Sequence, residues 1–547
     1  MGRWGPTLCF RRGKLVEYQR IRCHLIFDIK MDGKFTRKAR FVAGGHTTNP
    51  PSSSTYSSVV SRDSVRIAFL VAALNDLDIS ACDIGNAYLN AKCREKIWTE
   101  AGPEFGSDSG SVMLIEKALY GLKSSGAAWR AMFAATLQDM GYKSTKADPD
   151  VWIKPAAKPD GTEYYEMILV YVDDVLHISH DTEPVMKTLG ESYRLKGNTH
   201  GEPDRYLGAN INKVSVGNKV LFSMQCDDYV KSSITNLEQM LRDDGSGKLE
   251  TYGKIAATRP LPQAYRPECD VSKELDEDIS SRYLQLIGIL RWDVELGRID
   301  IYSEVSVLSQ HQCMPREGHL DAIYCIFWYL KKVEASRIIF DPSKMDIDER
   351  LFNTASVDEW KDFYTDAAEP IPMNAPKPRG LSVKVSCYVD TDHAGNRMTW
   401  RSHSGILIYL QNTPIIWYSK RQNTVESSSF GSEFIALRIA TEMLEALRYK
   451  LRMFGIPIDG PADVFCDNKS VVTNSTIPTS MLNKKHNSIC YHRVREAQAA
   501  GTIRIAWIDG DYNQSDIFTK TSITTEKRYG IAREIFGWGN KDILPFK

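Results

Sequence analysis

The sequence predicts a multidomain protein that joins α+β and α/β parts, and three observations lead there. The chain has 547 residues, more than one hydrophobic core sustains, so about two to four domains are expected. Its composition, 42% hydrophobic and 25% charged, is that of folded domains and excludes disorder, collagen-like repeats and small disulfide scaffolds. The residue pattern also changes along the chain, from hairpins to helices and then, from Val383, to strands alternating with helices, the order of a separate α/β domain.

The first hairpin is expected at 24–31 and 35–43, where Asp32-Gly33 separates two alternating segments. The proline- and serine-rich run 49–54 reads as a loop. Val65, Ala68, Phe69 and Ala72 recur at helical spacing and predict a helix over about 61–75. A short strand is expected at 78–83 and an amphipathic helix at 127–140. Two β-rich runs, 163–172 and 175–180, are separated only by Asp173-Asp174. From about 236 to 284 the sequence turns polar, which predicts a boundary region. Residues 281–333 read as mainly helical, and 341–380 as a second irregular stretch ending in Pro370, Pro372, Pro376 and Pro378.

Charge and cysteine usage narrow the function classes. Formal net charge is zero, yet the first fifty residues hold eleven Lys/Arg against three Asp/Glu, a basic stretch able to meet phosphates or simply to face solvent. The eleven cysteines are scattered, with no C-x-x-C pair and no zinc spacing. That usage suits a reducing compartment and predicts no structural zinc. No run reaches the length of a membrane span, and no signal-peptide core is expected.

Asp173 and Asp174 follow a β-rich run as Tyr171-Val172-Asp173-Asp174. Adjacent carboxylates at a hairpin turn repel, and a divalent cation relieves that cost; an all-oxygen site suits Mg²⁺. Asp83 ends its own expected strand in Cys82-Asp83-Ile84-Gly85. Three convergent carboxylates can hold two Mg²⁺ ions about 4 Å apart, the arrangement that clamps attacking and leaving oxygens in phosphoryl transfer. An isolated Asp-Asp pair would read as a turn; the combination with Asp83 is what points to chemistry.

Asp83 with Tyr88 five residues on, followed by Tyr-Val-Asp-Asp, resembles the palm of reverse transcriptases. That resemblance implies that Asp83, Asp173 and Asp174 are the metal ligands of a polymerase site. It makes Tyr88 the aromatic gate beneath the incoming sugar. Further segments resemble the Ty1/copia branch. Lys38-Ala39-Arg40-Phe41 to His46 is similar to its fingers segment. Ala118 to Lys123, with Trp129 after it, is similar to its nucleotide-side motif. Arg205 to Ala209 is similar to its primer support. Tyr283 to Gly288 and Pro315 to Leu320 are similar to its thumb and connection helices, so the resemblance runs from residue 22 to about 520. Where many copia-type sequences carry a glutamine this chain has Ser124, which leaves backbone amides around Gly126 to meet the nucleotide. Lys30, Lys38 and Arg40 are the candidate triphosphate clamps, with the choice among them open.

A second acidic set is spread over the C-terminal part. Asp390 is expected to end the strand 386–389, Glu433 to begin a helix, Asp467 to follow the strand 462–466, and Asp516 to sit in Gln514 to Lys520. Each alone reads as a cap or an exposed charge. Together they resemble the Asp-Glu-Asp-Asp quartet of ribonuclease H, and Trp417 to Gln422 and Asp516 to Lys520 are similar to the copia version. Asp392 rivals Asp390, and Glu426 rivals Glu433. His486 and His492 lie in a basic stretch and are expected to be structural or solvated.

The resemblance implies reverse-transcriptase fingers, palm and thumb followed by a ribonuclease H-like α/β domain. The expected limits are 1–21 as an abrupt N-terminal remnant, 22–236 fingers and palm, 237–380 thumb/connection, 381–525 ribonuclease H-like domain and 526–547 C-terminal tail. It further implies two Mg²⁺ per site (or Mn²⁺ in their place), with RNA template, DNA primer, RNA–DNA hybrid and dNTPs as partners. Gag, protease and integrase segments would be encoded elsewhere. Cytoplasmic particles, a DNA product delivered to the nucleus and no membrane complete the expectation. The rival expectation is a decayed element copy that only binds nucleic acid.

Overall fold

A computed structural model of the chain describes residues 8–11, 17–29, 37–52, 54–198, 200–245, 247–253, 258–263, 265–333, 336–352, 355, 357–482 and 485–537. The chain folds as two compact units, Met1–Ser61 with Asp78–Glu202 and Arg62–Leu77 with Pro203–Lys547.

In the first unit, β1 (Cys23–Ile29) and β2 (Arg37–Ala43) pair antiparallel, as expected; the Asp32-Gly33 turn lies outside the described residues. A four-stranded sheet joins Leu8–Arg11, Val112–Ile115, Ile97–Glu100 and Gln19–Arg20. The central antiparallel sheet is built from β3 (Asp78–Asp83), β4 (Val151–Ala157), β5 (Glu163–Tyr171) and β6 (Asp174–Ser179). Its order is β3-β6-β5-β4, with Lys143–Ser144 at the edge. Helices α1 (Ser125–Asp139) and α2 (Glu183–Ser192) bury Trp129, Phe133, Val185, Met186 and Leu189 in the core that Ile168, Val170 and Val175 share. The apolar runs of β5 and β6 are thereby covered, as buried strands require.

In the second unit the helix Arg62–Asn75 buries Arg66, whose Nη1 donates to Ile415 O at 3.0 Å and whose guanidinium lies 3.7 Å from the Trp417 ring centroid. A hairpin of β7 (Ala209–Val216) and β8 (Lys219–Gln225) is extended by Ile338–Ile339. Helices α3 (Asp227–Asp243), α4 (Glu277–Leu296) and α5 (Glu317–Lys332) follow. The boundary expected from residue 236 instead carries the last two turns of α3. Its exposed face supplies the polar residues that suggest a linker, while Val230, Ile234, Leu237 and Leu241 are buried at helical spacing.

The C-terminal sheet contains β9 (Val385–Asp392), β10 (His403–Leu410), β11 (Thr413–Arg421), β12 (Ala462–Cys466) and β13 (Ile503–Trp507). Its order is β11-β10-β9-β12-β13, antiparallel among β9–β11 and parallel from β9 to β12 and β13. Helices α6 (Ser429–Met453), α7 (Lys469–Thr476) and α8 (Ser488–Ala499) separate the parallel strands, and α9 (Thr525–Ile535) ends the described chain. Arg528 of α9 is fully buried, donating from Nη1 to Asp300 O at 2.7 Å, while Asp300 also pairs with Arg298 at 2.8 Å. The mixed α+β and α/β architecture expected from the sequence is the one observed. No helix among the described residues is long and apolar enough to cross a membrane.

Candidate functional site

The hairpin between β5 and β6 sets out the first acidic group. Tyr171 pairs with Asp174, leaving Val172 and Asp173 as the turn. Val172 has φ +60, a conformation that costs a β-branched residue about 1–3 kcal/mol. Its carbonyl accepts a hydrogen bond from Trp129 Nε1 at 2.8 Å, which holds the turn from α1. On the other side of β6, Asp174 sits opposite Asp83, and Ile84 N donates to Asp173 O at 2.8 Å. Three carboxylates from two distant segments therefore meet at one sheet end.

Lys196, just beyond α2, is the counter-charge. Its ammonium bonds Asp83 and reaches Asp173 Oδ2 at 3.2 Å. Burial, with Asp173 and Asp83 adding to it, pushes the Asp174 carboxyl up to about 6, and Lys196 opposes the rise. Tyr88, in the short helix Ala87–Asn90, stacks obliquely on Tyr120 with ring centroids 5.0 Å apart. Both phenols are raised by burial and by Asp173. Gly126 lies beside them: a Cβ there would be 3.9 Å from the Tyr88 hydroxyl and 3.2 Å from Ser57 Cβ. Arg40, on β2, acts electrostatically on Tyr120 and stands 4.0 Å from Asp28. Lys38 is on the same strand, half-buried, and Lys30 lies outside the described residues. Gly121 (φ +93) packs so tightly on β2 that a Cβ would be 2.1 Å from Ala43 O, which joins the Tyr120 loop to the β1–β2 hairpin.

The second group is assembled on β9. Asp390 lies within the strand, which runs on to Asp392, so the expectation that it ends the strand is corrected; pairing of Thr391 and Asp392 with Ser404 and His403 extends the ladder. Cys466 pairs with Val389 across parallel strands, which puts Asp467 next to Asp390. Glu433 is in the second turn of α6, not its first: the helix starts at Ser429, capped by the Ser428 side chain on Gly431 N. Asp516 sits in the 3₁₀ turn Gln514–Phe518, anchored by Asn513 Nδ2 donating to Val389 O at 2.9 Å. That turn docks on β10 at Gly405, where a Cβ would be 2.6 Å from Thr519 Cγ2 and 2.9 Å from Phe518 Cβ.

Ligand oxygens of Asp390, Asp467 and Asp516 lie within 4.8 Å of one another, and Glu433 forms a like group with Asp467 and Cys466. Burial, reinforced by Asp516 and Asp467 and opposed by Lys520, pushes Asp390 up to about 7. Burial also holds Glu433 well above its ordinary range and raises Asp467. Asp516 goes the other way: burial raises it, but Lys520 and Lys527 outweigh burial. Lys520 Nζ bonds Asp516 and lies 3.4 Å from Asp390 Oδ2, and Thr519 Oγ1 also bonds Asp390. Thr391 Oγ1 reaches Glu433 Oε2 at 3.2 Å. An ammonium already stands among these carboxylates, and the donors are hard oxygens, so the set fits a hard divalent cation. Cys466 does not join it, because burial keeps its thiol protonated.

The rivals lie elsewhere. Asp392 lines a neighbouring cleft, and Glu426 is 3.4 Å from His486. His492 Nδ1 is 2.8 Å from the Tyr364 hydroxyl. Sequence reasoning misses Lys196, Lys520 and Lys527. Lys520 alone leaves a local signal, four residues after Asp516.

Residues 16–241 match the family described as reverse transcriptase (RNA-dependent DNA polymerase). The chain is 25% identical over 91% of its length to a retrovirus-related Pol polyprotein from transposon RE1 of Arabidopsis thaliana, covering 30% of that protein. It is 24% identical over 96% of its length to the one from transposon TNT 1-94 of Nicotiana tabacum, covering 36%. The chain thus spans about a third of the length of these curated relatives. Among solved structures, a foamy viral protease–reverse transcriptase in complex with RNA/DNA hybrid aligns with 96% of this chain and 75% of that one at 10% identity and TM-score 0.30. An N-terminal ribonuclease H domain from Mycobacterium tuberculosis aligns with 28% of this chain and 99% of that one at 16% identity and TM-score 0.21. Residues 16–241 are thus similar to the reverse transcriptase family, in a chain similar over most of its length to the Pol polyproteins of copia-type transposons.

Proposed function

We propose that the chain copies RNA into DNA at Asp83, Asp173 and Asp174 and cleaves the RNA of RNA–DNA hybrids at Asp390, Glu433, Asp467 and Asp516. The observation that carries this reading is the repeated design of the two centres. Each brings carboxylates from separate segments around a lysine ammonium, Lys196 between Asp83 and Asp173 in the first and Lys520 between Asp516 and Asp390 in the second, and in the second the oxygens of Asp390, Asp467 and Asp516 also lie within 4.8 Å of one another. Two divalent ions, Mg²⁺ or Mn²⁺, would acidify the attacking hydroxyl or water and neutralise the leaving oxygen.

The chain's own residues do the rest. In the polymerase centre the Val172 turn fixes the two aspartates; Asp83, Asp173 and Asp174 would hold the ions, and Lys196 holds Asp83 and Asp173 in place of that charge. Tyr88, backed by Tyr120, closes the space under the sugar and favours dNTPs, while backbone amides near Gly126 and the Arg40 guanidinium face the nucleotide. In the nuclease centre, Thr519 and Thr391 orient Asp390 and Glu433, and Lys527 fixes Asp516. Charge placement, not a single general base, carries both reactions.

The domain limits 22–236, 237–380 and 381–525 belong to the same proposal, as do template, primer and hybrid as partners. So do gag, protease and integrase segments encoded elsewhere, and cytoplasmic particles that deliver DNA to the nucleus. The test measures dNTP incorporation on an RNA template with a DNA primer, and hybrid cleavage, in the full chain beside Asp173→Asn and Asp390→Asn. Loss of synthesis in the first and of cleavage in the second supports the reading. Hybrid binding without either reaction overturns it in favour of a decayed copy.

A further inference from the structure

Asp293, Arg298, Asp300, Glu304 and Arg528 are all fully buried around the turn that follows α4. All but Asp293 pair off. Arg298 donates from Nε and Nη2 to the two oxygens of Asp300 at 2.9 and 2.8 Å, and from Nη1 to Val333 O, just past α5, at 2.8 Å. Arg528 bonds Glu304, and Tyr329 of α5 donates to Asp300 Oδ2 at 3.0 Å. Neither carboxyl oxygen of Asp293 has a hydrogen-bond partner among the described residues. The two guanidinium groups already balance two carboxylates, so an ionised Asp293 leaves this buried cluster with a net negative charge.

The surroundings add to that cost. Asp293 lies in the last turn of α4, where Arg298 N closes the helix on Asp293 O at 2.9 Å. The partial negative charge of a helix C-terminus opposes a carboxylate there. From α3, burial raises the Cys226 thiol and the Tyr229 phenol, and Asp293 raises both further. Burial also raises Asp227, with Asp228 adding to it, while Lys231, Arg298 and Arg337 pull the other way. Burial, with Asp300 adding to it, pushes the Asp293 carboxyl up to about 7; Arg298 opposes the rise, but its fork is already taken by Asp300.

We propose that Asp293 is a proton-operated latch on the end of α4. Protonated, it leaves the Arg298–Asp300 pair intact and the turn after α4 closed. Ionised, with its proton passed to solvent, it competes with Asp300 for Arg298 and loosens the hold of that guanidinium on Val333. The effect extends along α4, because Trp292 Nε1 packs 3.6 Å from the place of a Cβ on Gly208. There Leu207 and Gly208 form a turn with φ +47 and +86.

The experiment compares thermal unfolding of the full wild-type chain with Asp293→Asn, which keeps the side-chain shape and cannot ionise, at about pH 5 and about pH 8. Folding takes up a proton at Asp293, so its contribution is full below about pH 4 and is lost as pH rises through about 7. The variant should match the wild type at the lower pH and melt about 5 °C above it at the higher. Subtraction cancels the contribution of the nuclease carboxylates, which both chains carry. A difference that does not change with pH overturns the proposal. If the variant does not fold, hydrogen exchange of the wild-type chain decides. Corrected for the intrinsic rate, opening of 285–300 and 205–211 should rise about tenfold from about pH 6 to about pH 8 relative to α8. An unchanged ratio overturns the proposal. Neither measurement needs substrate or metal, so neither depends on the catalytic reading above.

Discussion

Lys520 Nζ lies 3.4 Å from Asp390 Oδ2 while bonding Asp516 four residues earlier in its own chain. One ammonium thus stands between a fully buried carboxyl raised to about 7 and a carboxylate held below its ordinary range. The two acids respond oppositely to pH, and the metal-free protein should report it.

For Asp390 the folded value exceeds the unfolded one, so folding takes up a proton between pH 4 and 7. Its stability contribution is full below about pH 4 and is lost as pH rises through about 7. Asp516 has the opposite sign and matters only as pH falls below 4. In EDTA the melting temperature should therefore fall as pH rises from about 4 to 7 and level off above, with Glu433 and Asp467, raised the same way, adding to the slope. Mg²⁺ should flatten the profile, since an ion favours the charged carboxyl. Calorimetry across that range, with and without Mg²⁺, checks this; a Mg²⁺-independent slope speaks against an ion at Asp390.

Gly405→Val should break the nuclease centre from behind. Its Cβ would meet Thr519 Cγ2 at 2.6 Å, Phe518 Cβ at 2.9 Å and Ser515 O at 2.9 Å, forcing the turn that carries Asp516 off β10. Overpacking of this kind costs about 1–3 kcal/mol. Hybrid cleavage should fall roughly 100-fold, in line with misplacement of a catalytic group, with RNA-templated synthesis retained. Cleavage at the wild-type rate in a folded variant would show that the turn does not position Asp516.

How far these features are legible in the sequence depends on the range of the forces that make them. The strand Asp78–Asp83 can be placed from its own residues, because its alternation and flanking turns are local. Asp390 reads as a strand end because nothing in 386–392 announces that Ser404 and His403 will extend the ladder. Glu433 reads as a helix start because Gly431 and the serines before it look like loop, although Ser428 is itself a capping residue. The carboxylates are legible through residue type and order. Their lysines are not: Lys196 is 113 positions from Asp83, and only the fold makes them neighbours.

Lys196→Met should change the metal demand of the polymerase centre. The ammonium holds Asp83 and Asp173 in the metal-free site, so a divalent ion must displace it. Without it the carboxylates repel one another more, and an incoming cation meets no competing charge. Half-saturating Mg²⁺ for dNTP incorporation should fall severalfold, and Asp174, already raised by burial and its acidic neighbours, should rise further. Mg²⁺ titrations of incorporation at fixed pH measure this. An unchanged or increased Mg²⁺ requirement would mean that Lys196 assists the bound state and does not guard the empty one.

Trp129→Phe should separate the two activities most cleanly. The indole Nε1 donates to Val172 O at 2.8 Å, and Trp129 stacks on Phe133 with ring centroids 5.2 Å apart in the unit that holds Asp83, Asp173 and Asp174. Phenylalanine keeps the apolar contact and deletes the hydrogen bond, at about 1 kcal/mol. That bond opposes relaxation of Val172 from φ +60, so its loss lets the turn, and Asp173 with it, leave its position. Synthesis should fall about tenfold or more, whereas hybrid cleavage, which depends on none of these residues, should be unchanged. A Val172→Gly replacement in the same background removes the strain that drives the relaxation, and should restore part of the synthesis. Equal loss of both activities would instead mark Trp129 as a residue of general stability.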